Sequence, residues 1–452
     1  MNNICFVCNG FNTYFYLELS KFLDKNKIFW IVFNVNHYEA IRECFSNDNI
    51  LYIRRSDIKK SKENNNINYN NIDYKFNELL LTDRRLKYEM SFGLDFLNYI
   101  ANKFYSFIKK NHITLVLGEI TYAHEILFSR ITKQNPELNC RYLLPATVRY
   151  PSDRFAFFTD EFQENMIRNP KVNNFEVIDL CSKPEYYKIN NIILKNKFKF
   201  KNRIRRLLRF FYNPNFDKED ITLINSKFYR SLKAINEEVN PILYKYLVKK
   251  KSLKELLKYR YLVYALHKQP EASIDVVGRY YENQYNNIVN IWRILPDKYK
   301  LVVKEHTNAI GDRNLSFYRN ILKLPNIYIV DEKVDSFDLV KNSAGVFTVS
   351  GTIAFEAAYQ GIISFTFAPV FFNKLKNCHR ITLDELRYCQ NYFDLVKRCQ
   401  EHNKNKKDII EFSKYLYQHS FEGKIGDPIS NPSCMDKENI IKVVNAIKAV
   451  CS

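Results

Sequence analysis

The chain has 452 residues, of which 46% are hydrophobic and 15% aromatic, and it carries a formal net charge of +20. This length exceeds one ordinary hydrophobic core, so two domains are expected, and the apolar content excludes a disordered chain. Gly (10) and Pro (13) are too scarce for a fibrous or low-complexity protein. The excess of cations predicts an anionic partner, which is a polyanion, an anionic lipid surface or a phosphorylated substrate.

The first half of the chain alternates short apolar runs with helical patterns. The runs NICFVC (3–8), IFWIVFNV (28–35) and ITLVLGE (113–119) predict buried strands, and a long helical pattern covers residues 83–110. Strands separated by helices pair in parallel, so this pattern predicts a doubly wound sheet. We expect a first domain over 1–235, with a basic helical insertion over about 150–235, and then a linker helix over 236–257.

The insertion contains a basic segment from Tyr186 to Tyr212, with nine Lys or Arg residues, no acid and interleaved apolar residues. One interpretation is the solvated basic face of a helix. The other is a patch over Lys188–Arg209 that binds an anionic membrane surface or a lipid-linked acceptor. Nucleic acid is not predicted as a partner, because no helix-turn-helix, zinc-finger or RNA-binding signature accompanies the charge.

The second half restarts the alternation over 258–425. Its predicted strands are RYLVYAL (260–266), YKLVVKEH (299–306), NIYIVD (326–331), GVFTVS (345–350) and ISFTFA (363–368), each followed by a helical or turn segment. The last helix, within 426–452, is expected to pack back across the domains. The fold class predicted is α/β and GT-B-like, with two Rossmann-like doubly wound parallel-sheet domains facing a central cleft. This architecture serves several enzyme classes, so it does not define a function.

Polar residues follow four of the predicted strands, at the carboxyl ends where open parallel sheets bind ligands. Each group also has an ordinary structural explanation, as a helix cap, a helix start or a salt-bridged cluster. Their recurrence at successive strand ends favours a ligand site. The groups are Glu119 with His124, Gln269 with Glu271, Lys304 and His306 with Arg313, and Ser350-Gly351-Thr352 with Glu356.

The chemistry of these groups suits a phosphorylated ligand. Ser350, Gly351 and Thr352 would hold phosphate at the N-terminus of a helix, where free N–H groups and a partial positive charge are available. Glu356 lies one turn further on and would accept hydrogen bonds from ribose hydroxyls. The cations Lys304, His306 and Arg313 would neutralise the remaining negative charge. Glu119 and His124 would supply acid–base chemistry on the acceptor side.

The cysteines and the termini bear on the cellular compartment. Ten scattered cysteines include only one CxxC pair, Cys5 and Cys8, inside a predicted buried strand. No metal site and no cofactor are therefore predicted, and free thiols indicate a reducing compartment. No signal pattern is present and no apolar run approaches the ~18 residues of a spanning helix. We expect a cytoplasmic protein, either free or peripheral on the cytoplasmic face of the inner membrane.

The motifs of the second half resemble those of the bacterial capsule-polysaccharide synthesis family, the relatives of the β-Kdo glycosyltransferases. The resemblance rests on ALHKQPEAS, LVVKEHTNAIGDR and VFTVSGTIAFEAAYQG, and it covers about Arg260 to Pro369. It implies a GT-B glycosyltransferase with a CMP-linked donor sugar on the second domain. In the first domain, Gly118, Glu119 and His124 match a family motif in which Thr121 replaces an arginine, and Thr307 replaces a proline after Lys304-Glu305-His306. These departures leave the donor sugar open.

The leading functional prediction is a metal-independent glycosyltransferase that transfers a sugar from a nucleotide donor to a capsule, lipopolysaccharide or other surface glycan. Kdo or a related acidic sugar from a CMP-activated donor is the favoured substrate, and the acceptor is a glycan or lipid-linked glycan. Glu119 would act as nucleophile or general base. The alternatives are a CDP-glycerol-type phosphotransferase, a nucleotide-sugar epimerase, and a non-catalytic component of polysaccharide assembly.

Overall fold

A computed structural model of the chain describes residues 2–63, 73–172, 174–180, 200–211, 217–399 and 406–451. The chain divides into two compact units. The first unit comprises residues 1–161, 165–230 and 414–452, and the second comprises 162–164 and 231–413. Each unit is built on its own sheet.

The first unit holds a seven-stranded sheet in the order β13-β6-β5-β4-β1-β2-β3. Strands β1 to β5 are parallel to one another, whereas β6 is antiparallel to β5 and β13 is antiparallel to β6. The parallel part has the 3-2-1-4-5 order of a Rossmann sheet, with its switch point between β1 and β4. The strands are β1 (Asn3–Val7), β2 (Ile28–Val32), β3 (Ile50–Tyr52), β4 (Ile113–Leu117), β5 (Arg141–Thr147), β6 (Arg154–Phe158) and β13 (Phe421–Glu422).

The second unit holds a six-stranded, wholly parallel sheet in the order β12-β11-β10-β7-β8-β9. Counted within the unit this order is 3-2-1-4-5-6, and the switch point lies between β7 and β10. In register, Val346 of β10 pairs with Val263 of β7, and Ala265 of β7 pairs with Lys304 of β8. The strands are β7 (Arg260–Ala265), β8 (Tyr299–Lys304), β9 (Ile327–Ile329), β10 (Val346–Thr348), β11 (Ser364–Thr366) and β12 (Cys378–Arg380).

Helices follow most of these strands, as expected for parallel pairing. Those within residues 1–230 are α1 (Asn12–Ser20), α2 (Val35–Arg42), α3 (Arg55–Glu63), α4 (Phe76–Thr82), α5 (Met90–Lys110), α6 (Ala123–Gln134) and α7 (Phe200–Phe211). The remaining helices are α8 (Lys227–Leu247), α9 (Leu253–Leu256), α10 (Ala272–Asp275), α11 (Gln284–Arg293), α12 (Leu315–Leu322), α13 (Ser336–Lys341), α14 (Thr352–Tyr359), α15 (Leu383–Tyr388), α16 (Tyr392–Arg398), α17 (Lys406–Gln418) and α18 (Lys437–Cys451).

The C-terminal segment completes the core of the first unit. Helix α18 packs against α1 and β13. Its buried side chains Ile440, Val443 and Ile447 join a hydrophobic cluster that also contains Phe6 and Trp30 from the first two strands. The sheet of the first unit is therefore covered partly by residues more than 400 positions from its first strand.

The prediction of an α/β fold with two Rossmann-like doubly wound sheets is confirmed by these two strand orders. The positions of the boundaries differ from the expected ones. Residues 414–425, expected in the second domain, belong to the first unit, because Phe421 and Glu422 pair with Phe155 and Arg154 of β6. The helix expected over 83–110 begins at Met90, and residues 83–89 form a turn that contains a short 3₁₀ helix, Leu86–Tyr88. Residues 188–199 of the basic segment lie outside the described residues.

Candidate functional site

The candidate site of the second unit lies at the switch point of its sheet, at the carboxyl ends of β7 and β10. His267 follows β7 and is buried, and its Nε2 atom lies 3.0 Å from Oγ1 of Thr348, the last residue of β10. The backbone N–H of Ser350 donates a hydrogen bond of 3.1 Å to the same Nε2 atom. The His267 imidazole thus joins the two strand ends between which a Rossmann sheet binds ligands.

The His267 ring is held as the neutral imidazole. Burial is the main cause that lowers the pKa of His267 to about 3, and the nearby cations His306 and Arg313 act in the same direction. Because Nε2 accepts the Ser350 N–H, the proton of the neutral ring is on Nδ1. The backbone of His267 is fixed as well, since its N–H donates to Oε1 of Gln284 at 2.7 Å.

Helix α14 begins directly beside this imidazole and has an open N-terminus. Gly351 is its N-cap residue, and no side chain among the described residues caps the first turn. A Cβ atom at Gly351 would lie 2.7 Å from Thr348 Oγ1 and 3.4 Å from His267 Cε1. Glycine is therefore required here for space, and the uncapped N–H groups are available to an anion.

Ser350, predicted to hold phosphate, has a structural role instead. Its N–H is used by His267, and its hydroxyl donates 2.6 Å to the carbonyl oxygen of Ser273. The segment that follows Ser273 packs on the end of β10 at Gly278. Glycine permits this contact, because a Cβ atom at position 278 would lie 2.4 Å from Val349 Cγ1. The phosphate-binding role predicted for Gly351 and Thr352 has an open helix start to support it.

Gln269 and Glu271 are folded around a buried carboxylate. Nε2 of Gln269 donates to Oδ1 of Asp275 at 3.1 Å, and the backbone N–H of Glu271 donates to Oδ2 at 3.0 Å. Oε1 of Gln269 accepts from Gln284, and Oε2 of Glu271 accepts from the Ser273 hydroxyl. The Gln-Pro-Glu motif therefore forms a defined loop beside His267, with both side chains partly buried.

The predicted cations occupy different environments. Nζ of Lys304 is buried and donates 2.7 Å to the carbonyl oxygen of Val334, and His306 is exposed, with Nδ1 accepting the Asn308 N–H at 3.2 Å. Arg313 pairs with buried Glu305 at 2.6 Å and also donates to the carbonyl oxygen of His267. The guanidinium of Arg313 thus supports the site from within the protein, and the direct anion contact predicted for it has no support in this arrangement.

Glu356 is buried on α14, four residues after Thr352. It is therefore held within the helix that would present the phosphate-binding N–H groups. Its predicted role, acceptance of hydrogen bonds from ribose hydroxyls, stays a prediction.

The candidate site of the first unit lies at the equivalent position, the switch point between β1 and β4. Glu125, on α6, is buried and accepts hydrogen bonds from the backbone N–H groups of Glu119, Thr121 and Tyr122 at 3.2, 2.7 and 3.1 Å. Asn9, after β1, donates to the hydroxyl of Thr121 and to both oxygens of Glu125. The Glu125 carboxylate thus holds the backbone of the loop that follows β4 in place.

This loop holds the chain in an unusual conformation. Ile120 has φ +51°, the left-handed region that β-branched residues rarely occupy. Such a conformation costs of order 1–3 kcal/mol and persists only where surrounding contacts impose it. The three N–H bonds to Glu125 supply those contacts, and their effect is to fix the backbone of Glu119.

Glu119 itself is partly buried, and no described residue hydrogen bonds to its carboxyl group. Burial is the main cause that raises the pKa of Glu119 to about 8, and the charge of Glu125 raises it further. Burial raises the pKa of Glu125 as well, and the hydrogen bonds that Glu125 accepts from its donors act against this increase. Glu119 has no such donor among the described residues. A carboxyl group that titrates near pH 8 at a strand end is typical of acid–base catalysis.

Arg84 is a cation beside Glu119 that the sequence motifs did not indicate. Its guanidinium lies over the Tyr122 ring at 4.5 Å from the centroid, and its charge lowers the pKa of Glu119. It forms no salt bridge with any residue that the structure describes. Arg85 also lies over the Tyr122 ring, at 3.8 Å from the centroid, and donates to the Tyr122 hydroxyl. Arg84 is therefore available to a negatively charged ligand.

His124 lies in an aromatic cluster and not in a polar one. Its ring is 4.3 Å from Phe33 and stacks on Tyr122, with centroids 5.6 Å apart. Its buried Nε2 has no hydrogen-bond partner among the described residues, and burial lowers the pKa of His124 to about 3. This environment favours a packing role, although the predicted acid–base role stays untested.

Sequence reasoning missed His267, Asn9, Glu125, Asp275, Gln284 and Arg84 as members of these sites. His267 was visible as a polar residue directly after a strand. Asn9 was visible in the same way, after β1. Glu125 and Asp275 lie on the helices that directly follow the predicted groups, where no strand end marks them. Gln284 and Arg84 reach their sites from more distant parts of the sequence. Within the described ranges, no group of three or more His, Cys, Asp or Glu side chains is arranged to hold a metal ion.

No protein-family model and no curated protein matches this chain. Solved structures with some similarity include KpsC from Thermosulfurimonas dismutans, a β-Kdo 2,7 transferase, with 13% identity over 74% of this chain and 84% of that one and a TM-score of 0.31. UDP-GlcNAc 2-epimerase from Neisseria meningitidis, bound to UDP-GlcNAc, matches with 11% identity over 98% and 99% and a TM-score of 0.28. Anabaena Alr3699/HepE, in complex with UDP and glucose, matches with 9% identity over 100% and 99% and a TM-score of 0.28.

Similarity at these TM-scores carries no weight for fold or function, so the fold assignment rests on the two sheet topologies. Across the parts of the chain that the structure describes, every helix is too short or too polar to cross a bilayer.

Proposed function

We propose that this protein is a glycosyltransferase that uses a nucleotide-sugar donor. The observation that carries the proposal is the open N-terminus of α14 at the β7–β10 switch point, beside the neutral His267 ring. A raised-pKa carboxyl group, Glu119, occupies the corresponding position of the other Rossmann sheet. The motif resemblance over Arg260 to Pro369 supports the same class.

In the second unit, the donor phosphate would be bound by the first N–H groups of α14, at Gly351 and Thr352. The helix N-terminus offers free donors and a partial positive charge, which also stabilise a leaving nucleotide phosphate. Nδ1–H of His267 is a further donor at the same strand ends. The buried ammonium of Lys304 adds positive charge at the end of β8, and Glu356 would bind ribose.

In the first unit, Glu119 would remove the proton of the acceptor hydroxyl as the new glycosidic bond forms. Only the ionised carboxylate can accept that proton. With a pKa near 8, Glu119 is a stronger base than an ordinary carboxylate and is still partly ionised near neutral pH. A nucleophilic role, with a covalent glycosyl intermediate, uses the same carboxylate. The two roles differ in the anomeric configuration of the product.

The finer assignment is an acidic donor sugar, Kdo or a related sugar linked to CMP, and a surface-glycan acceptor. Thr121 stands where the family motif has an arginine, and Arg84 provides a cation close to the same loop. A guanidinium is a natural partner for a sugar carboxylate. Arg84 therefore supports an acidic substrate in spite of the altered motif.

The direct test is incubation with CMP-, UDP-, GDP- and CDP-linked sugars, with binding followed by thermal shift and turnover by release of the nucleotide. We expect stabilisation by one nucleotide class and transfer or hydrolysis of its sugar. If none of the four classes binds, the proposal is wrong. Phosphodiester products, or a sugar isomer formed without acceptor, would instead identify the phosphotransferase or the epimerase.

A second test separates catalysis from binding. Glu119→Gln removes the titrating group but keeps the size of the side chain, so we expect turnover to fall at least ~100-fold with nucleotide affinity unchanged. Loss of both would indicate that Glu119 maintains the fold. A non-catalytic assembly component would instead show no turnover at all, and its glycan or membrane binding would be the same in Glu119→Gln and His306→Ala as in the unmodified chain.

Location at the cytoplasmic face of a membrane is part of the same proposal. Helix α7 presents exposed Lys201 and Arg205 together with exposed Ile204 and Leu208. Cations beside apolar side chains favour an anionic headgroup layer. Vesicles containing phosphatidylglycerol should co-sediment the protein, and salt or Lys201→Glu with Arg205→Glu should reduce this. Equal binding to neutral vesicles would contradict the proposal.

A further inference from the structure

Helix α8 carries a stripe of exposed apolar side chains on its outer face. Phe228 and Tyr246, near its two ends, are 69% and 73% exposed, and the four residues between them are 43–51% exposed. Large apolar side chains that recur along one face of a helix and face solvent mark an interaction surface. The outer stripe comprises Phe228, Leu232, Ile235, Val239, Ile242 and Tyr246.

The opposite face of α8 already has its packing partners. Asn240, Pro241 and Tyr244 are buried, and Asn240 Nδ2 donates to the carbonyl oxygen of Gly311. The Tyr244 ring packs on Tyr318, with centroids 4.9 Å apart. At about 100° per residue, the outer stripe fits within an arc of about 80° and lies on the side of the helix away from these residues. The stripe is therefore not needed to attach α8 to the second unit.

The spacing of the outer stripe identifies the type of partner. Successive members are separated by 4, 3, 4, 3 and 4 residues. This alternation is the heptad pattern by which one helix packs along another with knobs-into-holes contacts. The pattern is also symmetric about its centre, so an antiparallel copy of α8 would set Phe228 against Tyr246, Leu232 against Ile242, and Ile235 against Val239. Every apolar residue then meets an apolar residue.

We infer that α8 forms an antiparallel, twofold-symmetric helix pair with α8 of a second copy of this chain. A twofold interface uses the same patch on both copies, which a symmetric stripe satisfies. The exposed parts of the six side chains amount to on the order of 600 Å² per copy, and twice that for the pair, which reaches the lower range of stable interfaces.

Helix α8 carries acids as well as cations, so it is less suited to an anionic lipid surface than α7. The sequence of α8 contains Glu237 and Glu238 among its cations, and Lys233 is 4.0 Å from Glu237. An anionic headgroup layer would repel these carboxylates. Helix α7, with no acid in its sequence, is the segment suited to lipid.

The test is the mass of the full-length protein in solution, measured by sedimentation over about 1–100 μM. We expect a concentration-dependent shift to twice the chain mass. Ile235→Glu should raise the dissociation constant of the dimer at least ~100-fold, because each dimer would bury two unpaired carboxylates. Ile410→Glu is the matched control, since Ile410 is similarly exposed (43%) on α17, and it should dimerise like the unmodified chain.

The antiparallel arrangement has its own test, in a Cys44→Ser background that removes an exposed native thiol. A mixture of Ile235→Cys and Val239→Cys chains should form a disulfide between the two, whereas neither variant should link to itself. A chain that stays monomeric at the highest concentration overturns the inference, as does an Ile235→Glu variant that still dimerises. Self-linking of Val239→Cys overturns the antiparallel arrangement, and a monomer whose vesicle binding needs Ile235 assigns the stripe to lipid.

Discussion

Glu119 lies in the loop after β4 and Glu125 lies in the first turn of α6. The two carboxyl groups have different hydrogen-bond environments and therefore different roles. Glu125 accepts several N–H bonds and fixes the loop backbone, whereas the Glu119 carboxyl group has no hydrogen-bond donor among the described residues. The pKa of Glu119 is raised to about 8, so this group is mostly neutral at pH 7 and ionises as the pH rises. A base of this kind becomes more effective with increasing pH, and an acid becomes less effective.

The first prediction is therefore a transferase rate that increases with pH through a midpoint near 8. Arg84→Gln removes a cation that favours the carboxylate, so the midpoint should move upward by about half a unit or more. Lys133→Gln, which removes an exposed cation from α6, should leave the midpoint unchanged. A rate that falls through pH 8 would assign Glu119 as an acid, and an unchanged midpoint in Arg84→Gln would refute the coupling.

The second prediction concerns His124, whose ring is surrounded by aromatic rings. A group with a pKa near 3 is neutral at pH 7, so we expect His124→Phe to keep kcat within about threefold of the unmodified enzyme. In the unfolded chain His124 is protonated below about pH 6.5, whereas in the folded chain it stays neutral down to about pH 3. The free energy of unfolding therefore decreases as the pH falls from 6.5 towards 3, and His124→Phe should remove this decrease. Thermal unfolding at pH 5 and 8 measures this, while a ~100-fold loss of kcat would establish a catalytic role.

At the scale of single elements, the junction of β10 and α14 shows how closely backbone and ligand site are linked. Gly351 leaves room for the contact between His267 and Thr348, and a methyl group there would meet Thr348 Oγ1 at 2.7 Å. We predict that Gly351→Ala weakens nucleotide binding about tenfold or more, measured by calorimetry, because the helix start or the histidine must move. Ser336→Ala, at the start of α13, is the control. Equal affinity in both variants would exclude the α14 N-terminus as the phosphate site.

The elements that the sequence predicted are those with a strong local pattern. The apolar runs of β1, β2, β4 and β7 to β11 are continuous, and the intervening helices are periodic. The start of α5 was placed too early because Asp83 accepts N–H bonds from Arg85, Leu86 and Ala123, which produces a turn with helix-like composition. Strand β13 has two residues and depends on pairing with β6, so no local pattern could indicate it.

The candidate sites divide in the same way. Residues directly after a strand, such as Glu119, Gln269 and Gly351, were predictable because topology places strand ends at one edge. Their partners were not, because Glu125, Gln284 and Arg84 approach from other elements and their contacts depend on tertiary packing. The roles of Ser350 and Arg313 changed for this reason, since each is engaged by a distant carbonyl or carboxylate.

At the scale of the whole molecule, the two units differ in how their chains are connected. The second unit is nearly continuous, with residues 231–413 and the short segment 162–164. The first unit needs residues 414–452, which supply β13 and α18. Phe421, Ile440, Val443 and Ile447 are buried in the same cluster as Phe6 and Trp30.

The prediction at this scale is that residues 1–230 do not fold alone but fold when joined to 414–452 through a flexible linker. Without the C-terminal segment, the apolar face under α18 is exposed. Each large buried side chain that is lost costs about 1.5–3 kcal/mol, so the total is comparable to the whole stability of an ordinary domain. We expect the joined fragment to show a cooperative thermal transition, and residues 1–230 alone to aggregate or to lack one. Ile440→Asp with Val443→Asp in the joined fragment should reproduce the failure, because both side chains are buried in that cluster. A cooperative transition of residues 1–230 at the same temperature would show that α18 is dispensable, and the first unit would then be an independent Rossmann domain with an added helix.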